Sequence, residues 1–232
     1  IGATTPKFTL SGGNVGIGTG FTDISHKLHV EGDSYFNGDV GIGTGSPDAE
    51  LHVVGRMVLN DSENNVAIGT DTIGNFTSAT RSVVIGDNAG SSLSSGDYNV
   101  LLGAYAGAAL STQGSNTIIG TFAGQNTTTT QAVYVGYNAG YYNSGDKNVF
   151  IGKSAGQSDS VTNDGEQNVA IGLESLKSLH DGHFNVAIGS ESLKSTTSGS
   201  SNVALGEAAL HNNKDGYYNV AVRRKALYTA IP

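Results

Sequence analysis

A short motif, Gly-x-x-Asn-Val-x-Ile-Gly, recurs about every 17 residues through most of this chain. Its second glycine occupies nine successive positions, and Arg223 occupies the tenth: Gly69, Gly86, Gly103, Gly120, Gly136, Gly152, Gly172, Gly189 and Gly206. A fixed period of this length is the signature of a repeat protein in which each unit packs mainly on its neighbours. What one unit of 17 residues can build therefore decides the fold.

Each unit shows the alternation of a β-strand. In the segment 185–189, large β-branched residues stand at Val186 and Ile188, with Ala187 between them. Side chains two residues apart lie on the same face of a strand, whereas a helix would need a period of 3.6. We expect Val186 and Ile188 to supply the apolar burial of this unit, with Ala187 and Gly189 on the opposite face.

A glycine three residues before the Asn predicts a turn between units. It recurs at Gly96, Gly145, Gly165, Gly182, Gly199 and Gly216, and three of these glycines follow Asp, which makes a favourable turn dipeptide. We expect this glycine to supply the positive φ that such a turn requires. After the strand, a second short segment ends in Ala-Gly in the earlier units and in Ser-Leu or Ala-Leu in the later ones.

Two short strands and two turns in 17 residues predict one coil of a β-solenoid, a parallel β-roll of about ten coils. Stacking the coils at ~4.8 Å pairs each strand with its copies above and below. The chain has no Pro between positions 48 and 231, which fits a continuous ladder because Pro cannot donate to one. The predicted fold class is all-β.

Each coil has few large apolar residues to bury, and this predicts an oligomer. Its few large residues are each worth roughly 2 kcal/mol when buried, whereas ordering each residue costs roughly 1.5 kcal/mol. Burial of one face against identical copies would add the stabilisation that a single chain lacks. We therefore expect a homotrimer that forms a parallel fibre.

The first sixty residues follow a different rule. Two looser units of about 25 residues each combine a VGIG segment with an LHV segment: 14–20 with 27–32, and 39–45 with 50–55. We predict a β-rich shaft or adaptor over residues 1–60 and the repeat solenoid, with a terminal capping coil, over residues 61–232.

Composition excludes several classes of function. A net charge of −8 argues against a nucleic-acid binder that relies on phosphate contacts. The absence of cysteine excludes disulfide scaffolds and cysteine-ligated metals. The longest nearly apolar run, 100–110, is too short for membrane insertion. We expect no cofactor and no enzymatic activity.

The repeats in 185–210 resemble those of viral surface fibres, including phage tail fibres and the repeat glycoproteins of large algal viruses. They are also similar to the head repeats of trimeric autotransporter adhesins, which form a left-handed parallel β-roll. Segment 39–55 looks like the shaft found in many tail fibres. The resemblance implies a structural fibre on a virion surface, or extracellular, that joins other virion or fibre proteins and attaches to a host cell-surface glycan or protein receptor. A bacterial surface adhesin of the same build is the alternative.

Aromatic and polar residues suggest where a receptor would bind. Tyr side chains beside Asn and Asp can stack on a sugar ring and bond its hydroxyls. The candidates are Tyr137, Tyr141, Tyr142, Asn143, Asp146, Tyr217 and Tyr218.

Three further patterns recur along the chain, and two of them can be interpreted in two ways. The recurring Asn is expected to form a structural amide ladder along the fibre, through Asn65, Asn99, Asn116, Asn148, Asn168, Asn185, Asn202 and Asn219. Glu174 and Glu191 stand one coil apart, so they form either a ladder of alternating charge with nearby lysines or the carboxylate pair of a polysaccharide-degrading tailspike. His29 and His52 occupy equivalent positions and are either exposed or, in a trimer, weak candidates for a metal site.

Overall fold

The computed structural model describes residues 7–11, 14–18, 28–30, 40–42, 51–53, 64–72, 78–158 and 163–229. These residues form β-strands and turns and contain no α-helix, so none of them belongs to a helix that could cross a membrane. The chain divides into two compact units, Ile1–Val58 and Leu59–Pro232.

In the first unit, the VGIG segments pair with the LHV segments. Its strands are β1 (Lys7–Ser11), β2 (Asn14–Gly18), β3 (Leu28–Val30), β4 (Val40–Ile42) and β5 (Leu51–Val53). Strand β2 pairs antiparallel with β1 and parallel with β3, and β4 pairs parallel with β5. His29 stands opposite Gly16, and His52 stands opposite Gly41. The side chains of both histidines lie outside the described residues.

The second unit is a β-solenoid, as predicted. Ten parallel strands follow one another in sequence order in one sheet: β6 (Val66–Ile68), β7 (Val83–Ile85), β8 (Val100–Leu102), β9 (Thr117–Ile119), β10 (Val133–Val135), β11 (Val149–Ile151), β12 (Val169–Ile171), β13 (Val186–Ile188), β14 (Val203–Leu205) and β15 (Val220–Val222). Each strand lies directly over the next with equivalent residues in register.

In the described residues each coil contains one strand and not the expected two. In the coil of β8, the segment after the strand consists of turns closed by Ala106 N–H donating to Gly103 O (3.1 Å) and Leu110 N–H donating to Gly107 O (3.0 Å). Positive φ values at Tyr105 (59°) and Gly107 (58°) are incompatible with extended backbone. The free N–H groups bond between coils, as from Gly107 to Ala123 O (3.0 Å).

The strands bury the face opposite to the one expected. The central residue of each strand from β7 to β15 is buried in the lumen of the solenoid: Val84, Leu101, Ile118, Tyr134, Phe150, Ala170, Ala187, Ala204 and Ala221. The flanking large residues point outward, and Ile85, Ile151 and Ile188 remain 36–39% exposed. Because the lumen faces the central residue, the small Ala187 belongs to the core and Val186 and Ile188 do not.

The lumen is filled by two residues of each coil whose sizes compensate. In β7 to β11 the central residue is large, and the residue six positions later is glycine. A Cβ atom at Gly140 would lie 2.5 Å from the Tyr134 ring, and one at Gly156 would overlap the Phe150 ring. In β12 to β14 the central residue is Ala, and Leu176, Leu193 and Leu210 fill the same space, fully buried.

The turn glycines are required for close stacking rather than for positive φ. A Cβ atom at Gly165 would lie 2.5 Å from Gly182 O, and one at Gly199 would lie 2.6 Å from Gly216 O. The positive φ expected at these glycines occurs two residues later, as at Gln167 (56°) and Ser201 (59°). In the coils that carry one of these two glycines, the backbone of the next coil therefore approaches too closely for a side chain.

Candidate functional site

The outward face of the sheet is an apolar stripe, which we define as the first and third residues of β6 to β15. The stripe consists of Val66 and Ile68, Val83 and Ile85, Val100 and Leu102, Thr117 and Ile119, Val133 and Val135, Val149 and Ile151, Val169 and Ile171, Val186 and Ile188, Val203 and Leu205, and Val220 and Val222. Every pair stands in register with the next. Nine steps of ~4.8 Å make the stripe about 43 Å long.

The column of asparagines forms the predicted amide ladder inside the solenoid. Asn168 Oδ1 accepts from Asn185 N–H (2.9 Å) and Nδ2 (3.1 Å), and Asn185 Oδ1 accepts in the same way from Asn202. Asn185 Nδ2 also donates to Gly199 O (2.8 Å) in the turn of the next coil. Ser82 and Ala132 replace the Asn in two coils. Asn65, Asn99, Asn116, Asn148, Asn168, Asn185 and Asn202 are buried, whereas the terminal Asn219 is half-buried, so most of this column cannot meet a ligand.

Of the two alternatives for Glu174 and Glu191, the structure has the ladder of alternating charge. Lys194 Nζ lies 2.7 Å from Glu174 Oε2 and 2.9 Å from Glu191 Oε1, and Lys177 Nζ lies 2.9 Å from Glu174 Oε1. Hydrogen bonds from Lys194 and Lys177 lower the pKa of Glu174 to about 2. A glycosidase general acid needs a raised pKa so that it holds a proton to donate. The geometry is that of charge pairing.

The aromatic residues form an outward row on the turn segments. The Tyr105 and Phe122 ring centroids are 5.5 Å apart, and Phe122 and Tyr137 make an edge contact at 5.9 Å. Lys153 Nζ lies 6.0 Å from the centre of the Tyr137 ring, which is 47% exposed. Tyr105 and Phe122 occupy equivalent positions, two residues after Gly103 and Gly120, whereas Tyr137 directly follows Gly136 and lies one position off their column. The receptor candidates selected from the sequence include Tyr137 but not Tyr105 or Phe122.

The other predicted receptor residues separate into two groups. Tyr141 and Tyr142 are half-buried and pack edge to face at 4.6 Å, and Asp146 Oδ1 accepts from Thr130 N–H (2.8 Å) in the coil before it. Asn143 is fully buried, and its Oδ1 accepts from the Tyr134 hydroxyl (2.6 Å). This corrects the expectation for Asn143, whose side chain lies in the lumen beside Tyr134 and cannot reach a ligand.

Tyr217 and Tyr218 remain accessible near the C-terminal end of the solenoid, at 55% and 83% exposed. Tyr218 shares its column with Tyr98 and Phe184, which are also more than half exposed. No group of three or more His, Asp or Glu side chains among the described residues could hold a metal ion.

Comparison of the chain with protein-family models, curated proteins and solved structures found no significant match. What the chain does is therefore argued from its own geometry.

Proposed function

We propose that this protein is a structural fibre of a virus or phage, that three copies associate in parallel through the apolar stripe, and that the trimer attaches to the host surface by repeated weak contacts. The observation that carries this proposal is the composition of the stripe compared with that of the lumen.

The lumen position of each strand changes from Ala187 to Phe150 or Tyr134 between coils, but the stripe keeps Val, Ile, Leu or a single Thr at every position. In an isolated solenoid the outward residues would be free to become polar, because only the lumen has to be filled. Uniform β-branched and aliphatic residues on the outside indicate that this face is also buried, against a second surface with the same repeat.

The size of the stripe supports the same conclusion. A strip about 43 Å long and about 10 Å wide has an area of roughly 400 Å², which is the size at which an exposed apolar patch marks an interaction site. Stripes from identical copies share one repeat, so their side chains can interdigitate along the full length. Three stripes around a common axis would give each chain two neighbours and leave the turn segments, with their aromatic row, on the outside.

The oligomeric state tests this assembly. Native mass spectrometry of the full chain is expected to give three times the 23.7 kDa chain mass. Replacing Ile151 and Ile188 by Lys would place charges in the buried stripe and yield monomers. Replacing Leu173 and Phe184 by Lys, which are equally apolar and 47% and 56% exposed but lie outside the stripe, is the matched control and should preserve the trimer. A folded wild-type monomer would contradict the assembly, and a dimer would contradict the threefold arrangement alone.

Attachment requires a separate measurement. Three chains that present repeated loops raise avidity without any strong single site. Labelled trimer is expected to bind host cells, and replacing Tyr217 and Tyr218 by Ala, or Tyr141 and Tyr142 by Ala, should weaken that binding if these rings contact the receptor. Imaging of the native source separates a fibre on a capsid or tail from a bacterial adhesin of the same build.

A further inference from the structure

A groove of about 260 Å³ lies on the turn segments beside the aromatic row. It is lined by Ser91, Ser92, Tyr105, Ala108, Ala109, Gln125 and Asn126, and none of these side chains is charged. We call it the Tyr105 groove. It is distinct from the stripe, which lies on the sheet.

The groove exists because one coil has small side chains where its neighbours have larger ones. Ser92 N–H donates to Ala108 O (3.1 Å) and Ala109 N–H donates to Gln125 O (3.0 Å), so three coils stand in register at this point. Ala108 and Ala109 form the floor, with serines on one side and amides on the other. One coil further, Asn126 N–H donates to Tyr141 O (3.0 Å), which places Tyr141 and Tyr142 beyond the amide side.

The polar groups of the groove are available to a ligand. The side-chain amides of Gln125 and Asn126 and the hydroxyl of Ser92 form no hydrogen bond with any described residue. Within the described part of the chain, the Ser91 hydroxyl makes only a long contact, 3.5 Å, with Ala108 O. Two half-buried amides therefore offer both donors and acceptors within one small concave surface.

The aromatic face supplies the apolar half of the site. Tyr105 lines the groove and packs against Phe122 at 5.5 Å, which holds its ring in place. A sugar ring presents apolar C–H groups on its faces and hydroxyls around its edge, and an aromatic ring beside amides and hydroxyls matches both features. Because the lining carries no charge, it offers no partner for a carboxylate or sulfate group.

We propose that the Tyr105 groove binds a neutral carbohydrate, with one sugar ring stacked on Tyr105 and its hydroxyls bonded to Gln125 and Asn126. This inference rests on the proposed function, because such a glycan would be one of the surface ligands that the fibre contacts. It assigns the ligand class and moves the main contact away from the tyrosine pairs selected from the sequence.

Oligosaccharide binding by the full chain tests the proposal. The probes are immobilised oligosaccharides that end in glucose, galactose, mannose or N-acetylglucosamine, together with sialylated and sulfated counterparts. At least one neutral probe is expected to bind. Replacing both Gln125 and Asn126 by Ala should weaken it about 25-fold, since each lost hydrogen bond is worth about fivefold. Ala108→Trp, which fills the groove, should abolish binding.

Controls separate loss of the site from loss of the fold. Gln157 occupies the same column as Gln125 two coils away and does not line the groove, so Gln157→Ala should leave affinity within twofold. Tyr105→Phe should retain binding and Tyr105→Ser should lose it, with unchanged circular dichroism in both. Binding that survives Ala108→Trp, or binding of acidic probes only, would overturn the proposal. A trimer that binds no neutral probe would contradict carbohydrate binding by the groove but not the fibre assembly. A monomer that binds a neutral probe would support carbohydrate binding by the groove and contradict the fibre assembly.

Discussion

Phe150 and Gly156 face each other across the lumen, and an exchange of their sizes tests how the core is built. The next coil carries the reverse combination, Ala170 with Leu176, at the same two positions. We therefore expect the double replacement Phe150→Ala with Gly156→Leu to be tolerated much better than its parts. Leu is compatible with the backbone there, because Leu176 has a φ of 49° and Gly156 has one of 56°.

The structure sets the size of each effect. Phe150 is fully buried and stacks on Tyr134 at 5.1 Å, so Phe150→Ala should cost about 3–5 kcal/mol. Gly156→Leu alone would drive its side chain into the Phe150 ring and cost roughly 1–3 kcal/mol or more. The double variant removes six carbon atoms and returns four, so it should lose only about 2–3 kcal/mol at ~0.8 kcal/mol per missing methylene plus the strain of a left-handed Leu. The single costs add to about 4–8 kcal/mol, so the two changes should be coupled by about 2–5 kcal/mol.

Urea denaturation measures this coupling, and one fixed protein concentration is used because the proposed association of chains would also contribute to stability. The matched control combines Phe150→Ala with Gly140→Leu, since Gly140 faces Tyr134 and not Phe150. That pair should show no compensation. If the double variant with Gly156→Leu is destabilised by the sum of its two single effects within about 0.5 kcal/mol, the two residues do not share one space and the description of the lumen is wrong.

Three further changes probe the stacking, the ladder and the charges. Gly189→Ala should cost roughly 2–6 kcal/mol in the same denaturation assay, because φ is +131° and the new Cβ would lie 2.6 Å from Gly206 O. The control is Arg223→Ala, in the equivalent place of the last described coil, which should change stability by less than about 0.5 kcal/mol. Asn185→Ala should cost about 2–4 kcal/mol because it leaves buried groups of two neighbouring coils unpaired. Asn219→Ala, at the end of the ladder, should cost about 1 kcal/mol. Equal losses of stability in the two variants would contradict the ladder. The ion pairs of Glu174 should contribute roughly 1 kcal/mol above its ordinary pKa of 4.5 and lose it as the pH falls towards 2. Glu174→Gln should flatten the pH dependence of stability in that window, and an unchanged profile would show that the pairs contribute nothing.

The period alone was sufficient to predict the solenoid. Equivalent residues that recur every 17 positions stack in register only if the strands are parallel, which is what the pairing of Val186 with Val203 shows. The Asn column follows from the same rule, because an amide can bond to its own copy one coil away. The details that repeat with the coil, and only those, were predictable in this way.

The conformation of the turn segments was not predictable from residue types. Positive φ at Tyr105, Phe122 and Glu174 contradicts the usual preference of that conformation for Gly and Asn. These residues are held there by hydrogen bonds to the coils above and below, as from Phe122 N–H to Ala104 O (2.9 Å). Stacking, which is a property of the whole array, overrides the local preference.

The sequence analysis assigned the wrong face of each strand to the core, because both faces are apolar. In a unit such as 185–189, alternation separates Ala187 from Val186 and Ile188 but does not say which side faces the lumen. The missing information is in the sequence as a correlation between coils. In β7 to β11 a large central residue, such as Phe150, precedes a glycine by six positions, and in β12 to β15 a central Ala precedes a leucine. Only residues that share one closed space need to compensate in size, so this correlation identifies the central residue as the inner one. The same argument makes the stripe an outer surface, and the proposed association of identical chains would account for its uniformity.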